Sequence, residues 1–529
     1  MRQHGKGEGL SGHGFVPRPL APHPLRFAGP LPLPGRERAL ASPPESPRMT
    51  AGRRIFQNIR ALAAAKAATM ASGLVTAAWT ARVLGPDSFG VLGFGTSLMA
   101  YAALFVNLGL STYAIREIAR DREQAGPLSE HVLTLRTVLA VIVGALYAAF
   151  VLALDKPMAV KAVLLMQAVQ LLGNALVLDF VYQATERMGV IATREIGTSI
   201  GSMLLVFLLV RGPEDAILAA AITGGSITVN ALVMIGRFRR DFGSLRPRID
   251  LKIWREILTA AAPMAVGVFA WAIFTHLDVV MLGFMAPHTE VGWYSAAVKI
   301  QTLANLAGNI VMNAFLPQLA AAYGDLDQMR ERMRAYATVM LTVGALVVAG
   351  GVALAPAILA TLFGDAYDPA ALPLRILMVA SAVVYANMIL GNPLLVWHRQ
   401  TGYMIAMLSG GVLNALLNVW WIPRYGIQGA AMATLTAELA ATLAIAWLHR
   451  RVVGELYGGL AAKAVLCGGL AVAAGLILHR VAAPLLNKAP AIADFLSGSV
   501  AVVGVFAAAT LLTGLVRPTR LRRLTGVTV

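Results

Sequence analysis

The chain has 529 residues, 57% of them hydrophobic and 13% charged, and a formal net charge of +17. A soluble domain carries about 25% charged residues, and a globule this apolar would strand hydrophobic surface in water, so the chain reads as a membrane protein. The basic excess does not point to nucleic acid, because the charges sit in short loops between apolar runs, where cytoplasmic loops collect Lys and Arg.

Residues 1–48 hold ten of the 26 prolines and no run long enough for a signal peptide or a span. They read as a disordered cytoplasmic tail, or as sequence upstream of a true start at Met49. Apolar runs of about 20 residues, the length needed to cross a bilayer, then recur with short polar breaks. They predict spans at 60–83, 89–111, 134–154, 158–182, 191–210, 215–236, 257–284, 293–318, 337–362, 373–397, 402–422, 427–448, 460–480 and 494–516. With the amino terminus inside, the cytoplasmic loops carry about 17 basic residues. The opposite loops carry five: Lys156, Arg211, Arg424, Arg480 and Lys488. That asymmetry supports fourteen spans with both termini cytoplasmic. No loop on the opposite side is large enough for a folded catalytic domain.

The expected fold class is all-α: a polytopic membrane protein of about 14 transmembrane helices, in two pseudo-symmetric six-helix bundles plus two C-terminal helices. The organisation is a proline-rich tail over 1–50, an N-terminal bundle over 51–236 and a basic cytoplasmic linker over 237–256. A C-terminal bundle over 257–450 follows, then two extra helices and a basic tail over 451–529. A faint repeat relates the bundles: aligning Gly90 with Gly292 also aligns Asn107 with Asn309. Two bundles of equal orientation imply an axis along the membrane normal, with a site at their seam reachable from either face in turn.

The single cysteine, Cys467, excludes an internal disulfide and a cysteine zinc site and reads as a packing residue. No metal-ligand spacing, catalytic triad order or phosphate-binding loop is present, so no metal, cofactor or catalytic residue is expected. A charge deep in a span costs about 2.5–3.5 kcal/mol on insertion scales and needs a partner, water or a function. By depth the candidates are Lys66, Asp278, Lys299 and Glu438. Asp278 and Lys299 sit at similar depth on adjacent helices and are placed to pair. Glu438, the most isolated, is a candidate for a cavity or coupling role. Arg82, Arg375 and Lys463 lie near enough to a boundary to snorkel. Gln301, Asn305, Asn309 and Asn313 follow one another at four-residue spacing and share a helical face. Asn414 and Asn418 repeat the arrangement. Such faces serve either interhelical hydrogen bonding or a substrate path. Pro263, in the span that carries Asp278, makes that helix a candidate moving element.

Several segments resemble bacterial polysaccharide flippases of the multidrug, oligosaccharidyl-lipid and polysaccharide exporter superfamily. They are ARVLGPDSFG at 81–90, Gly109 followed by YAIREIAR at 113–120, DVVMLG at 278–283, GWY at 292–294 with AAVK at 296–299, and YGIQGAA at 425–431. Together they span roughly 55–450. The resemblance implies a flippase for a lipid-linked oligosaccharide or polysaccharide precursor, working by alternating access in the bacterial cytoplasmic membrane. Its partners would be that lipid-linked glycan, membrane lipids, and a polysaccharide polymerase or assembly proteins. Carried over residue by residue, Arg82, Arg116 and Lys299 would be the basic positions facing the sugar and pyrophosphate, with Lys66 added from its depth and Asn305 and Asn309 as polar contacts. Asp278 and Glu438 would serve coupling or gating. The chain departs from a heavily arginine-lined cavity. The rival readings are a cation-coupled multidrug antiporter of the same superfamily and a membrane polysaccharide polymerase or sugar transferase.

Overall fold

The computed structural model describes residues 51–397, 399–486 and 491–515. The chain falls into two units, Met1–Phe56 and Gln57–Val529, and every side chain described belongs to the second. The proline-rich tail over 1–50 and the basic residues Arg517, Arg520, Arg522 and Arg523 lie outside the described residues.

The first half contains α1 (Ala51–Asn107), α2 (Leu110–Arg120), α3 (Ala125–Ala153), α4 (Met158–Gln167), α5 (Val169–Ala175), α6 (Asp179–Ala184), α7 (Met188–Leu209) and α8 (Ala216–Asp241). The second contains α9 (Leu251–Met285), α10 (His288–Ala321), α11 (Leu326–Ala353), α12 (Ala355–Leu362), α13 (Ala371–Val396) and α14 (Gln400–Val453), followed by α15 (Gly458–Leu486) and α16 (Ala491–Leu512). Among the described residues there is no strand.

Two helices are too long to cross once. At about 1.5 Å per residue, the 57 residues of α1 and the 54 of α14 would each run more than twice the ~30 Å apolar core. Each bends back at a glycine, Gly85 (φ 73°, ψ 171°) and Gly426 (φ 53°, ψ −133°), in backbone regions closed to residues with a Cβ. Counting each as two limbs and α4 to α6 as one interrupted pass, and leaving out α2 (11 residues) and α12 (8 residues) as too short to cross, gives fourteen limbs among the described residues, the number that the hydropathy pattern predicts. The span expected over 158–182 is interrupted after Gln167 and again at 176–178. α10 is long enough to cross, but its polar stripe leaves it outside the set of strongly apolar helices.

Lipid tails are as apolar as Leu, so close packing rather than water expulsion holds such helices together. One buried cluster joins the halves, with Phe94 and Leu164 from the first and Leu282, Tyr294, Phe363 and Ile427 from the second. Phe94 meets Phe284 edge-on at 5.1 Å between ring centroids. Gly109 (φ 75°) lets α2 start against the backbone of Ala261 and Ala265 in α9. The connection between the halves is pinned along α3, where Glu130 accepts the Arg246 N–H at 3.0 Å and pairs with Arg248 at 2.7 Å. α15 and α16 pack on α11, with Cys467 fully buried between Ala349, Ala464 and Val502, a packing residue as expected.

The turns at Gly85, 154–157, 286–287, 363–370 and Gly426 gather at one end of the protein, called here the turn end. The linker after α8 lies at the other.

Candidate functional site

Asp278 lies about 10 Å from the end of α9, at about 1.5 Å per residue. It accepts hydrogen bonds from Tyr294 Oη of α10 at 2.8 Å, from Asn418 Nδ2 of the first limb of α14 at 2.7 Å, and from Thr434 Oγ1 of the second limb. Asn418 also donates to Asn414 Oδ1 at 3.1 Å. Three helices thus converge on one carboxylate through neutral donors. A carboxylate without a cation inside a span is costly, so the donors must carry its charge.

The Asp278–Lys299 pairing suggested by depth is absent among the described ion pairs. Similar depth fixes height but not direction. Lys299 follows Tyr294 by five residues, about 140° around the helix at 3.6 residues per turn, so when Tyr294 faces Asp278, Lys299 turns away. Its ammonium has no hydrogen bond or ion pair among the described residues. It is exposed, within electrostatic range of His276 on α9. The His276 ring meets the Tyr101 ring of α1 at 6.5 Å, and Tyr101 Oη donates to Ala272 O at 3.3 Å. Lys299 therefore faces the seam between the halves.

Glu438 lies one turn beyond Thr434 in α14, within electrostatic range of Asp278 and Tyr403. It has no hydrogen bond or ion pair among the described residues. The C-terminal half thus holds two neighbouring acids, one satisfied and one not.

The remaining candidates are dispersed. Arg82 sits at the turn end on carbonyls of 360–362. Arg116, near the other end, pairs with Glu117 at 3.0 Å and lies over the Tyr113 ring. Lys66 is exposed on the first limb of α1. The limb between Gly85 and Asn107 alone is about 33 Å long, so Arg82 and Arg116 cannot touch one headgroup in this state. The polar stripe of α10 serves helix packing in part: Gln301 donates to Leu377 O of α13 at 3.2 Å, whereas Asn309 donates within α10 to Asn305 O at 3.2 Å. Asn305 Oδ1 is buried without a partner.

Two cavities flank these residues. One of about 370 Å³ is lined by Ile300, Leu303 and Ala304 of α10 with Leu346, Met378 and Phe495 from α11, α13 and α16. It is almost wholly apolar, and Lys299, which precedes Ile300 in α10, is not part of its wall. The other, of about 420 Å³, lies within the first half around Arg136, Asn174, Asp179, Arg194 and Asn230. Arg194 pairs with Asp179 at 2.9 Å, and Arg136 donates to Val177 O at 3.2 Å and to Asn174 O. With Glu195 also on its wall the charges balance, and the network ties α3, α5, α6, α7 and α8 together.

Sequence reasoning missed Tyr294, Thr434 and this arginine network. A signal existed for Thr434: Asn418 and Thr434 are each eight residues from Gly426, and residues equidistant from a hairpin bend sit at one depth.

The comparison that decides the family is the profile described as polysaccharide biosynthesis protein, which matches residues 55–323, half of the chain. The chain belongs to that family. Among curated family relatives, the "Putative O-antigen transporter" of Escherichia coli K12 is 21% identical over 396 residues, covering 73% of this chain and 94% of that protein. Its namesake from Shigella dysenteriae is 22% identical over 365 residues, covering 68% and 91%. Among solved structures, the lipid II flippase MurJ in an inward closed conformation superposes with a TM-score of 0.69 at 12% identity, covering 85% of this chain and 98% of that one. An inward-facing multidrug resistance MATE family transporter of the MOP superfamily gives 0.58 at 16% identity, covering 74% and 96%. At such identities these structures establish a shared fold.

Proposed function

We propose that the protein is a flippase that carries a lipid-linked oligosaccharide or polysaccharide precursor across the bacterial cytoplasmic membrane by alternating access, with no catalysis of its own. The observation that carries the reading is on α10: Lys299, an ammonium with no ion pair among the described residues, immediately precedes Ile300, which lines an apolar cavity on the same helix. A lipid-linked glycan joins an anionic phosphate to a long hydrocarbon, and α10 offers each part a matching surface within one turn. The names of the O-antigen transporter relatives and of the flippase neighbour agree with that cargo.

In this reading Lys299 binds the phosphate as a point charge, and Asn305 and Asn309 line the path taken by the sugars. Arg82 and Arg116 hold ends of the structure rather than the headgroup, and Lys66 meets solvent or lipid headgroups. Asp278 and Glu438 take up a proton or a monovalent cation and change the packing of α9 on α14. The stretches 51–236 and 257–450 move as two bundles on the 237–256 linker, and 451–529 supplies part of the groove for the lipid. The arginine-rich linker side is cytoplasmic, with both termini there, and a polymerase or assembly protein receives the product outside. A cation such as Lys299 in the seam disfavours cationic drugs as cargo.

Deleting the gene should leave lipid-linked glycan on the inner leaflet and remove its polymer from the surface. Normal surface polymer with normal leaflet distribution would overturn the proposal.

A further inference from the structure

At the turn end the halves meet through residues that the internal repeat makes equivalent. The register that aligns Gly90 with Gly292 also carries Pro86 to His288 and Asp87 to Thr289, an offset of 202 residues. These equivalents lie against one another. A Cβ at Gly90 would run into the carbonyl oxygen of His288, and a Cβ at Gly292 into that of Pro86. Thr289 Oγ1 donates to Asp87 Oδ1 at 3.3 Å. Reciprocal contact, with residue i on j′ and j on i′, marks a two-fold axis. The repeat axis therefore passes through this contact, and only glycine lets the two backbones approach so closely.

Beside it, Arg82 reaches across to the second half. Its Nε donates to Leu362 O at 2.9 Å and its Nη2 to Ala360 O at 3.3 Å and to Thr361 O. These are the last carbonyls of α12, at the negative end of the helix dipole; that of Ala360 also accepts the Gly364 N–H at 3.1 Å. Tyr367 Oη returns the contact by donating to Ala81 O at 3.0 Å. A planar guanidinium spanning three carbonyls is a multipoint contact that an ammonium cannot reproduce. No ligand is needed to hold it, and parting the halves here breaks all of it.

We propose that Arg82 and the Gly90–Gly292 contact form the outer gate: Arg82 is a latch that holds the outer end closed by capping α12, and it is not a headgroup ligand. This rests on the alternating-access reading above, with the turn end facing outward.

The test is a disulfide trap in the full-length protein. Cys467→Ser gives a background free of native thiols, and Asp87→Cys with Thr289→Cys places a thiol pair where the two side chains now touch. The pair should cross-link readily in the parent. Adding Arg82→Ala should slow cross-linking at least fivefold, Arg82→Lys less, and Gly90→Ala comparably to Arg82→Ala. Arg211→Ala should change nothing, because Arg211 bonds the carbonyl of Leu208 in its own turn. If Arg82→Ala expresses poorly, Arg82→Gln, which keeps a donor without the charge, gives the same comparison. Cross-linking at the parent rate in both Arg82 variants overturns the latch. Because no glycan is present in the assay, that result leaves the flippase reading standing, whereas slowed cross-linking in a protein that moves no glycan would sink the function and keep the gate.

Discussion

Replacing Asp278 separates a carboxylate kept for function from one kept for the fold. In Asp278→Leu the three donors around it lose their acceptor, but two have alternatives. Asn418 already donates to Asn414 Oδ1 at 3.1 Å, and Thr434 Oγ1 lies 3.1 Å from Ala430 O. Only the Tyr294 hydroxyl is stranded, at a cost of about 1–3 kcal/mol for one buried donor. Against that, the leucine removes a buried charge whose desolvation costs several kcal/mol. The two terms nearly cancel, so stability should change by less than about 2 kcal/mol. Asp278→Asn, which keeps the shape and one acceptor, should change it by less than about 1 kcal/mol. Transport should nevertheless fall at least tenfold in both, with any dependence on pH or a monovalent cation lost. The assay pairs thermal unfolding of the purified protein with leaflet-to-leaflet transport in vesicles. Parent-rate transport with unchanged pH and cation dependence in Asp278→Asn would refute the reasoning.

Other consequences follow from the same geometry. Lys299→Ala should weaken substrate binding roughly tenfold to 150-fold, the equivalent of a charge-assisted contact of about 1.5–3 kcal/mol, while Lys299→Arg keeps part of it; titration with the lipid-linked glycan reads this directly. Glu438→Gln breaks no described contact, so the melting temperature should hold while transport is lost, and a transport-competent variant would remove Glu438 from the coupling pair. Gly350 lines the apolar cavity with open space where its Cβ would be, so Gly350→Leu should fill the groove and slow long-chain substrates more than short-chain analogues; equal rates would rule out the groove as the tail site. At the linker end, Asp325 caps α11 through the backbone N–H groups of Gln328 and Asp327, which hold its carboxyl below the usual range. Its contribution is therefore present above the ordinary carboxylate range and lost as pH falls through the lowered value. The acid-induced drop in melting temperature should be smaller in Asp325→Ala.

Much of the architecture was legible because lipid leaves few options. Every backbone group must be satisfied inside the bilayer, so 20-residue apolar runs and basic loops mark the passes with little ambiguity. The repeat was legible too, and Gly90 and Gly292 proved to be in contact as well as equivalent. The site was legible only in part. Asp278, Lys299 and Glu438 stood out as charges in apolar runs, but depth says nothing about which way a side chain points around its helix, so the partner of Asp278 was misread. Tyr294 and Thr434 gave no compositional signal, since neither is unusual in a span; only the position of Thr434 relative to Gly426 marked it. Arg82 and Arg116 stand near one another in the sequence motifs, but a whole helix limb separates them in space.

Transport in reconstituted vesicles bears most directly on the central claim. Purified protein in vesicles loaded with a lipid-linked oligosaccharide labelled on its sugar should move that label between leaflets, faster than protein-free vesicles and slower with Lys299→Ala. Movement no faster than in protein-free vesicles, across several lipid-linked glycans and with an imposed proton or cation gradient, would contradict it.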